Sequence, residues 1–162
     1  MLLCVTCGFN SAVAGSVESA GTAIQIMLPV AATLSTMYKR DQQGFGQYLK
    51  VFVSTTAITY GLKYSVNETR PSGGRHSFPS GHTSASFAAS AFMWRRYGWT
   101  YGLPASLAAT FVGYSRVEAK RHYWHDVLAG AAIGVGMAYV FGSRQDTSLE
   151  VSGSGIALVK RI

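Results

Sequence analysis

At 162 residues, with apolar residues at 48% and charged residues at only 13%, the chain is one domain or one small helical bundle, and its charged share is about half that of an ordinary soluble domain. That balance excludes intrinsic disorder and disfavours a charge-covered globule, while a mean hydropathy of +0.17 leaves room for polar faces. Fourteen Lys and Arg against seven Asp and Glu give a net charge of +7, which calls for an anionic partner: phosphate, nucleic acid or an acidic membrane surface.

Residues 2–14 are apolar and end in Ala12-Val13-Ala14, a small-x-small pattern that suits signal peptidase, although no Lys or Arg precedes them. Residues 1–18 are read as a short leader, either a signal peptide or a truncated first membrane helix. Cys4 and Cys7 lie in it without the second pair that a zinc site needs, and read as small apolar residues. Residues 19–38 are uncharged and long enough to cross a hydrocarbon layer of ~30 Å at ~1.5 Å per residue. Pro29 is expected to kink this helix.

After Lys39-Arg40 a second helix is expected from Gly44 to Leu62. Residues 65–79, with Pro71, Gly73, Gly74 and Pro79, read as loop. A third helix, rich in small residues, runs from Ser80 to Trp94 and is closed by Arg95-Arg96. The fourth spans Gly102 to Tyr114 with Pro104 in its first turn. The fifth, Trp124 to Phe141, carries Gly130, Gly134 and Gly136 at spacings that suit close helix packing. The tail, 143–162, holds a short β-like run at 156–159 and is given no function. The expected fold class is all-α, a bundle of five to six helices over 19–142, embedded in a membrane; a soluble bundle with very apolar helices is the alternative.

Alternate crossings would put Lys39, Arg40, Arg95, Arg96 and Arg144 on one face and the loops around 63–82 and 115–123 on the other. Basic connectors mark the cytoplasmic side, so the second face is expected outside. Six of the fourteen basic residues concentrate there, Lys63, Arg70, Arg75, Arg116, Lys120 and Arg121. All four histidines, His76, His82, His122 and His125, lie among them. The segments between are apolar, which favours one concentrated anion site over a nucleic-acid stripe.

Three groups carry the chemistry. Lys63 and Arg70 are seven apart and would share a face on a continuing helix, although Pro71 biases Arg70 out of the helical conformation. Two cations at a helix end suit phosphate oxygens; standing alone they would read as a solvated pair. Pro79-Ser80-Gly81-His82 precedes a helix whose N-terminal amides can hold an anion. Gly81 admits a close approach of the backbone, Ser80 adds a hydroxyl, and His82 is placed to give or take a proton. The plainer reading of this tetrapeptide is N-capping by Ser80. In the third group His122 and Asp126 stand at i and i+4, within reach on one helical face. A carboxylate on one ring nitrogen leaves the other as a nucleophile. Arg116 supplies a third cation. His125 is expected to face away from Asp126, its immediate neighbour. A zinc site fits poorly, because Arg and Lys intrude among the histidines and carboxylates are few.

In order and spacing these residues fill the pattern K-x6-R-P, P-S-G-H, S-R-x5-H-x3-D without a departure: Lys63, Arg70 and Pro71, then Pro79 to His82, then Ser115, Arg116, His122 and Asp126. The chain resembles the phosphatidic acid phosphatase type 2 / vanadium-dependent haloperoxidase superfamily over 63–126, and by helix spacing over about 22–142. The resemblance implies an all-helical, cofactor-free and metal-free phosphatase. In it His122 attacks phosphorus, Asp126 orients His122, and His82 protonates the leaving oxygen and later activates water. Lys63, Arg70, Ser80, Gly81 and Arg116 would bind the phosphoryl oxygens. The expected substrate is a lipid phosphate or diphosphate at the outer face of a bacterial-type inner membrane, with no nucleic-acid partner. A secreted or periplasmic acid phosphatase, a vanadate-dependent haloperoxidase and a non-catalytic binder of anionic lipid are the alternatives.

Overall fold

The computed structural model describes residues 3–145, 147–152 and 155–160, with side chains over 15–145. Five helices follow one another: α1 (Leu3–Tyr38), α2 (Gln42–Val66), α3 (Gly81–Tyr97), α4 (Trp99–Glu118) and α5 (Trp124–Phe141). A hairpin of β1 (Thr147–Ser152) and β2 (Gly155–Lys160), antiparallel with Val151 opposite Ile156, closes the described chain and contains the expected β-like run.

The fifth helix has the expected bounds; the others run longer. Helix α1 passes through residue 18 and through Pro29 without a break, so the expected leader and first helix are one element. Helix α4 begins at Trp99, which places Pro104 inside the helix and not in its first turn. Helix α2 continues to Val66, then stops at Asn67 in the left-handed conformation, one that Asn tolerates better than most residues. Lys63 is therefore helical and Arg70 is not, and the face that a longer helix would have given them is not formed.

Helix α3 is the axis of the bundle and packs on all four others. Its small residues make this possible: Ser84, Ser86, Ala88, Ala89, Ser90 and Ala91 are all buried, with Phe92 as the large side chain at the centre. Helix α5 meets it through two glycines one turn apart. A Cβ on Gly130 would lie 2.6 Å from the Ser80 carbonyl oxygen, and one on Gly134 would run into the Ser84 carbonyl and the Ala88 amide. Backbone meets backbone there, so the start of α3 is held against the start of α5.

At the other end of the bundle, Arg96 grips Asp41 with two bonds, Nη2 to Oδ1 at 2.6 Å and Nε to Oδ2 at 2.7 Å. Tyr97 donates its hydroxyl to the same carboxylate, and Arg96 Nη1 reaches the Ser143 carbonyl. One buried pair thus ties the α1–α2 turn, the end of α3 and the chain after α5. Burial would raise the Asp41 pKa, but the hydrogen bonds from Arg96 and Gly44 and the guanidinium charge outweigh it and lower it. The expected basic connector Arg95-Arg96 is accordingly part of α3, and Arg96 is a neutralised internal residue.

The outward faces are apolar. Ile26, Met27, Val30 and Leu34 on α1, Leu49 and Val53 on α2, Leu107 on α4 and Leu128 and Val140 on α5 are all exposed. Gly15–Tyr38 and Trp124–Phe141 are long and apolar enough to cross a membrane. A soluble surface seldom carries such continuous apolar area.

The glycine contact between α3 and α5 gives a paired prediction. Gly134→Ala should lower the thermal midpoint in detergent, by about 1–3 kcal/mol of overpacking. Gly136→Ala, where an added Cβ meets nothing within 4 Å, should leave it unchanged or raise it. Equal effects of the two would contradict the packing described.

Candidate active site

The site is built around a carboxylate with no exposed surface. Asp126 is 0% exposed and sits in the first turn of α5, with Tyr123 as the N-cap. Its Oδ2 accepts from Ser77 Oγ at 2.5 Å and from the Tyr123 amide at 2.9 Å. His122 Nδ1 lies 3.3 Å from the same oxygen. A buried charge is tolerated where donors surround it, and three donors from two loops converge on this one atom.

The expected i, i+4 pair is therefore made, but not on a helical face. His122 lies in the connector between α4 and α5, whereas Asp126 is helical. The connector folds back through Arg121 and His122, whose amides donate to the Arg116 carbonyl. The contact with Asp126 assigns the neutral ring's proton to Nδ1, which leaves Nε2 with a free lone pair. Burial, reinforced by Lys63 and Arg70 and opposed by Asp126, pushes the His122 pKa down to about 4. At neutral pH the ring is uncharged, beside fixed positive charge.

The loop before α3 comes to the same place. The Ser80 amide donates to the Asp126 carbonyl oxygen at 3.0 Å. Ser80 also caps α3: its Oγ accepts from the Thr83 amide and the Thr83 hydroxyl. Its own hydroxyl hydrogen is used in neither contact. Gly81 and His82 form the first residues of α3, both half-buried, with no side chain crowding Gly81. Arg116, Arg70 and Lys63 all lie close enough to His82 to act on it electrostatically.

The cations are arranged less simply than their spacing suggests. Lys63 is buried, and its Nζ donates to the carbonyls of His76 and Pro79, each at 2.8 Å, and of Ser77 at 3.4 Å. It holds the loop and supplies charge. Arg70 stays in that loop, with Nε donating to the Arg75 carbonyl. Arg116 is also buried, and it reaches back to α1, donating to the Glu18 carbonyl at 2.6 Å and to Thr22 at 3.2 Å. Of its five N–H groups these contacts and one to Ser115 take three.

Sequence spacing passed over two residues around the site and misplaced a third. Ser77 is fully buried and holds Asp126, yet it is one serine in a polar loop, with nothing in its spacing to mark it. Glu18, within the expected leader, carries both Arg116 and, through a 2.8 Å ion pair, Arg121. His125 was expected to face away from Asp126; its Nε2 lies 3.2 Å from Asp126 Oδ1 and 2.9 Å from Glu68 Oε1.

Comparison with known proteins adds an independent line. The family model described as PAP2 superfamily matches residues 44–148. A lipid A 4'-phosphatase of Helicobacter pylori is 33% identical over 129 residues, covering 72% of this chain and 65% of the relative. A lipid A 1-phosphatase of Porphyromonas gingivalis is 34% identical over 134 residues, 75% of this chain and 30% of the relative. The chain thus spans less than two thirds of these relatives' own length. Among solved structures, Aquifex aeolicus LpxE superimposes with a TM-score of 0.66 at 20% identity, over 76% of this chain and 83% of that one. A transmembrane PAP2 type phosphatidylglycerolphosphate phosphatase of Bacillus subtilis does so with a TM-score of 0.62, also at 20% identity, over 85% and 84%. At that identity the two share the fold.

The depressed His122 pKa fixes the sign of one pH effect. Unfolded, the ring takes up its proton near 6.5, and folded only near 4. Between those values the unfolded chain binds the extra proton, so stability falls as pH drops through that window. His122→Gln should make the fall in thermal midpoint between pH 6.5 and pH 4 shallower. An unchanged slope would show that His122 titrates alike in both states.

Proposed function

The chain belongs to the PAP2 superfamily, and from that premise we propose that it is a phosphatase that cleaves the phosphate or diphosphate monoester of a membrane lipid, without a metal, through a phosphohistidine on His122. The observation that carries this reading is the buried contact of Asp126 Oδ2 with His122 Nδ1, which leaves Nε2 as the free nucleophile.

In the first step the Nε2 lone pair attacks phosphorus, the bond from phosphorus to the lipid oxygen breaks, and His82 donates a proton to that oxygen. In the second step His82 takes a proton from water, the resulting oxygen attacks phosphorus, and phosphate leaves as His122 is restored. Phosphoryl transfer asks chiefly for positioning and charge stabilisation. Here Arg70, the spare N–H groups of Arg116, the Ser80 hydroxyl and the amide of Gly81 are assigned to the phosphoryl oxygens. Lys63 contributes its charge while it props the loop.

Partly exposed helices with apolar outer faces suit a protein that lies in a bilayer and takes a substrate whose acyl or prenyl chain stays there. The relatives named as lipid A phosphatases make a phosphorylated glycolipid headgroup the first substrate to assay. The site is assigned to the outer face of a bacterial-type inner membrane, on the ground that Lys39, Arg40 and Arg95 cluster at the opposite end of the bundle.

The test is phosphate release from a lipid phosphate by the full chain in detergent. Turnover should persist in EDTA and be blocked by vanadate, whose trigonal-bipyramidal form imitates the transition state. His122→Ala should lower the rate by roughly a thousandfold or more. Loss of turnover in chelator with recovery on added zinc, or full activity of His122→Ala, would overturn the proposal.

A further inference from the structure

Asp126 has two oxygens, and the nucleophile uses only one. Oδ2 takes the bonds from Ser77, Tyr123 and His122. Oδ1 is fully buried and accepts no hydrogen bond, although His125 Nε2 lies 3.2 Å away. An acceptor left without a donor inside a protein is costly, and this one points at a group of ligand atoms. Glu68 Oε1, His125 Nε2 and an Asp126 oxygen all lie within 4.8 Å of one another. Separations of 2.9 and 3.2 Å are near those of atoms sharing one ion at bond lengths of about 2.0–2.2 Å.

The three groups are also held in place. The His125 ring stacks on Tyr123, with centroids 5.3 Å apart and planes 11° from parallel, and on Phe78 at 6.2 Å. The Glu68 carbonyl accepts the Ser77 amide at 2.8 Å, and Ser77 in turn holds Asp126. Lys63 acts electrostatically on Asp126, but its ammonium is committed to three carbonyls. His125 is 56% exposed and Glu68 31% by side chain, so the group opens to solvent on one side, where water can complete a coordination shell.

We propose that Glu68, His125 and Asp126 Oδ1 form a binding site for a divalent cation of zinc type, and that its occupancy slows the phosphatase. One imidazole nitrogen with two carboxylates is a donor set that Zn²⁺ accepts and that Mg²⁺ does not favour. A cation on Oδ1 draws electron density from the carboxylate. Its other oxygen then holds the His122 Nδ1 proton less strongly, and Nε2 becomes a poorer nucleophile. The ion is bound on the far side of Asp126 from the reaction and takes no part in it. The inhibitory half of the proposal rests on the phosphatase reading; the binding half does not.

The experiment titrates Zn²⁺ alone into the full, detergent-solubilised chain by calorimetry, with Glu68→Gln and His125→Ala beside it. The wild type should bind one ion, and each variant should bind it more weakly by at least about tenfold. Both variants should keep metal-free phosphate release, while Zn²⁺ that inhibits the wild type leaves theirs unaffected. No binding to the wild type, or binding undiminished in both variants, overturns the site and reduces the contact to an ion pair of His125 with Glu68. Binding without inhibition overturns the coupling to Asp126. Absence of phosphate release from every protein tested, with binding intact, would instead fail the phosphatase reading and leave the cation site standing.

Discussion

A carboxylate cannot be sealed inside a protein unless donors are brought to it from elsewhere in the chain, and Asp126 imposes that requirement on every segment of the site. It draws Ser77 from the loop before α3, the Tyr123 amide from its own helix cap and His122 from the connector before it. Its backbone carbonyl takes the Ser80 amide as well. These bonds fasten the 67–80 loop to the start of α5. The orientation of His122, the position of the α3 N-terminus and the course of the loop are consequences of satisfying one buried charge.

Packing makes that convergence possible. Gly130 and Gly134 let α5 lie backbone to backbone on α3, which brings Ser80 within a hydrogen bond of Asp126. Any side chain at those positions would move the helix starts apart. The Asp41–Arg96 pair does for the far end of the bundle what Asp126 does for the near end, joining three chain segments around one buried carboxylate. Between these two polar ends the outward faces are apolar, so the bundle has one end that carries the candidate site, a clamped end and an apolar girdle.

Much of this was legible in the residues, for physical reasons. Helix α5 keeps the expected bounds, with Tyr123 and Asp126 capping its start and Gly142 its end, and the all-helical class follows from long uncharged runs with short connectors. The three motifs fall on two connectors and on the helix ends that flank them, where polar segments interrupt the apolar ones. Helix ends were less legible. The stop of α2 rests on Asn67 adopting a left-handed conformation, and the start of α4 on a glycine, Gly98, that a propensity reading passes over in favour of Gly102 and Pro104. Ser77 and Glu18 escaped, and His125 was expected to face the wrong way, because their contacts depend on three-dimensional neighbours: nothing in the sequence places a serine hydroxyl on a carboxylate 49 residues away. Nor does spacing show that Lys63 and Arg116 spend their donors on carbonyls of the loop and of α1.

The account turns on which nitrogen of His122 bears the proton. Nitrogen-15 NMR of the full chain with labelled histidine, assigned through His122→Gln, reads this directly. The account requires the neutral ring protonated at Nδ1 at pH 7, shifting to the Nε2-protonated form or losing its preference in Asp126→Asn. A His122 that is doubly protonated at pH 7, or that carries its proton on Nε2 in the wild type, would contradict it.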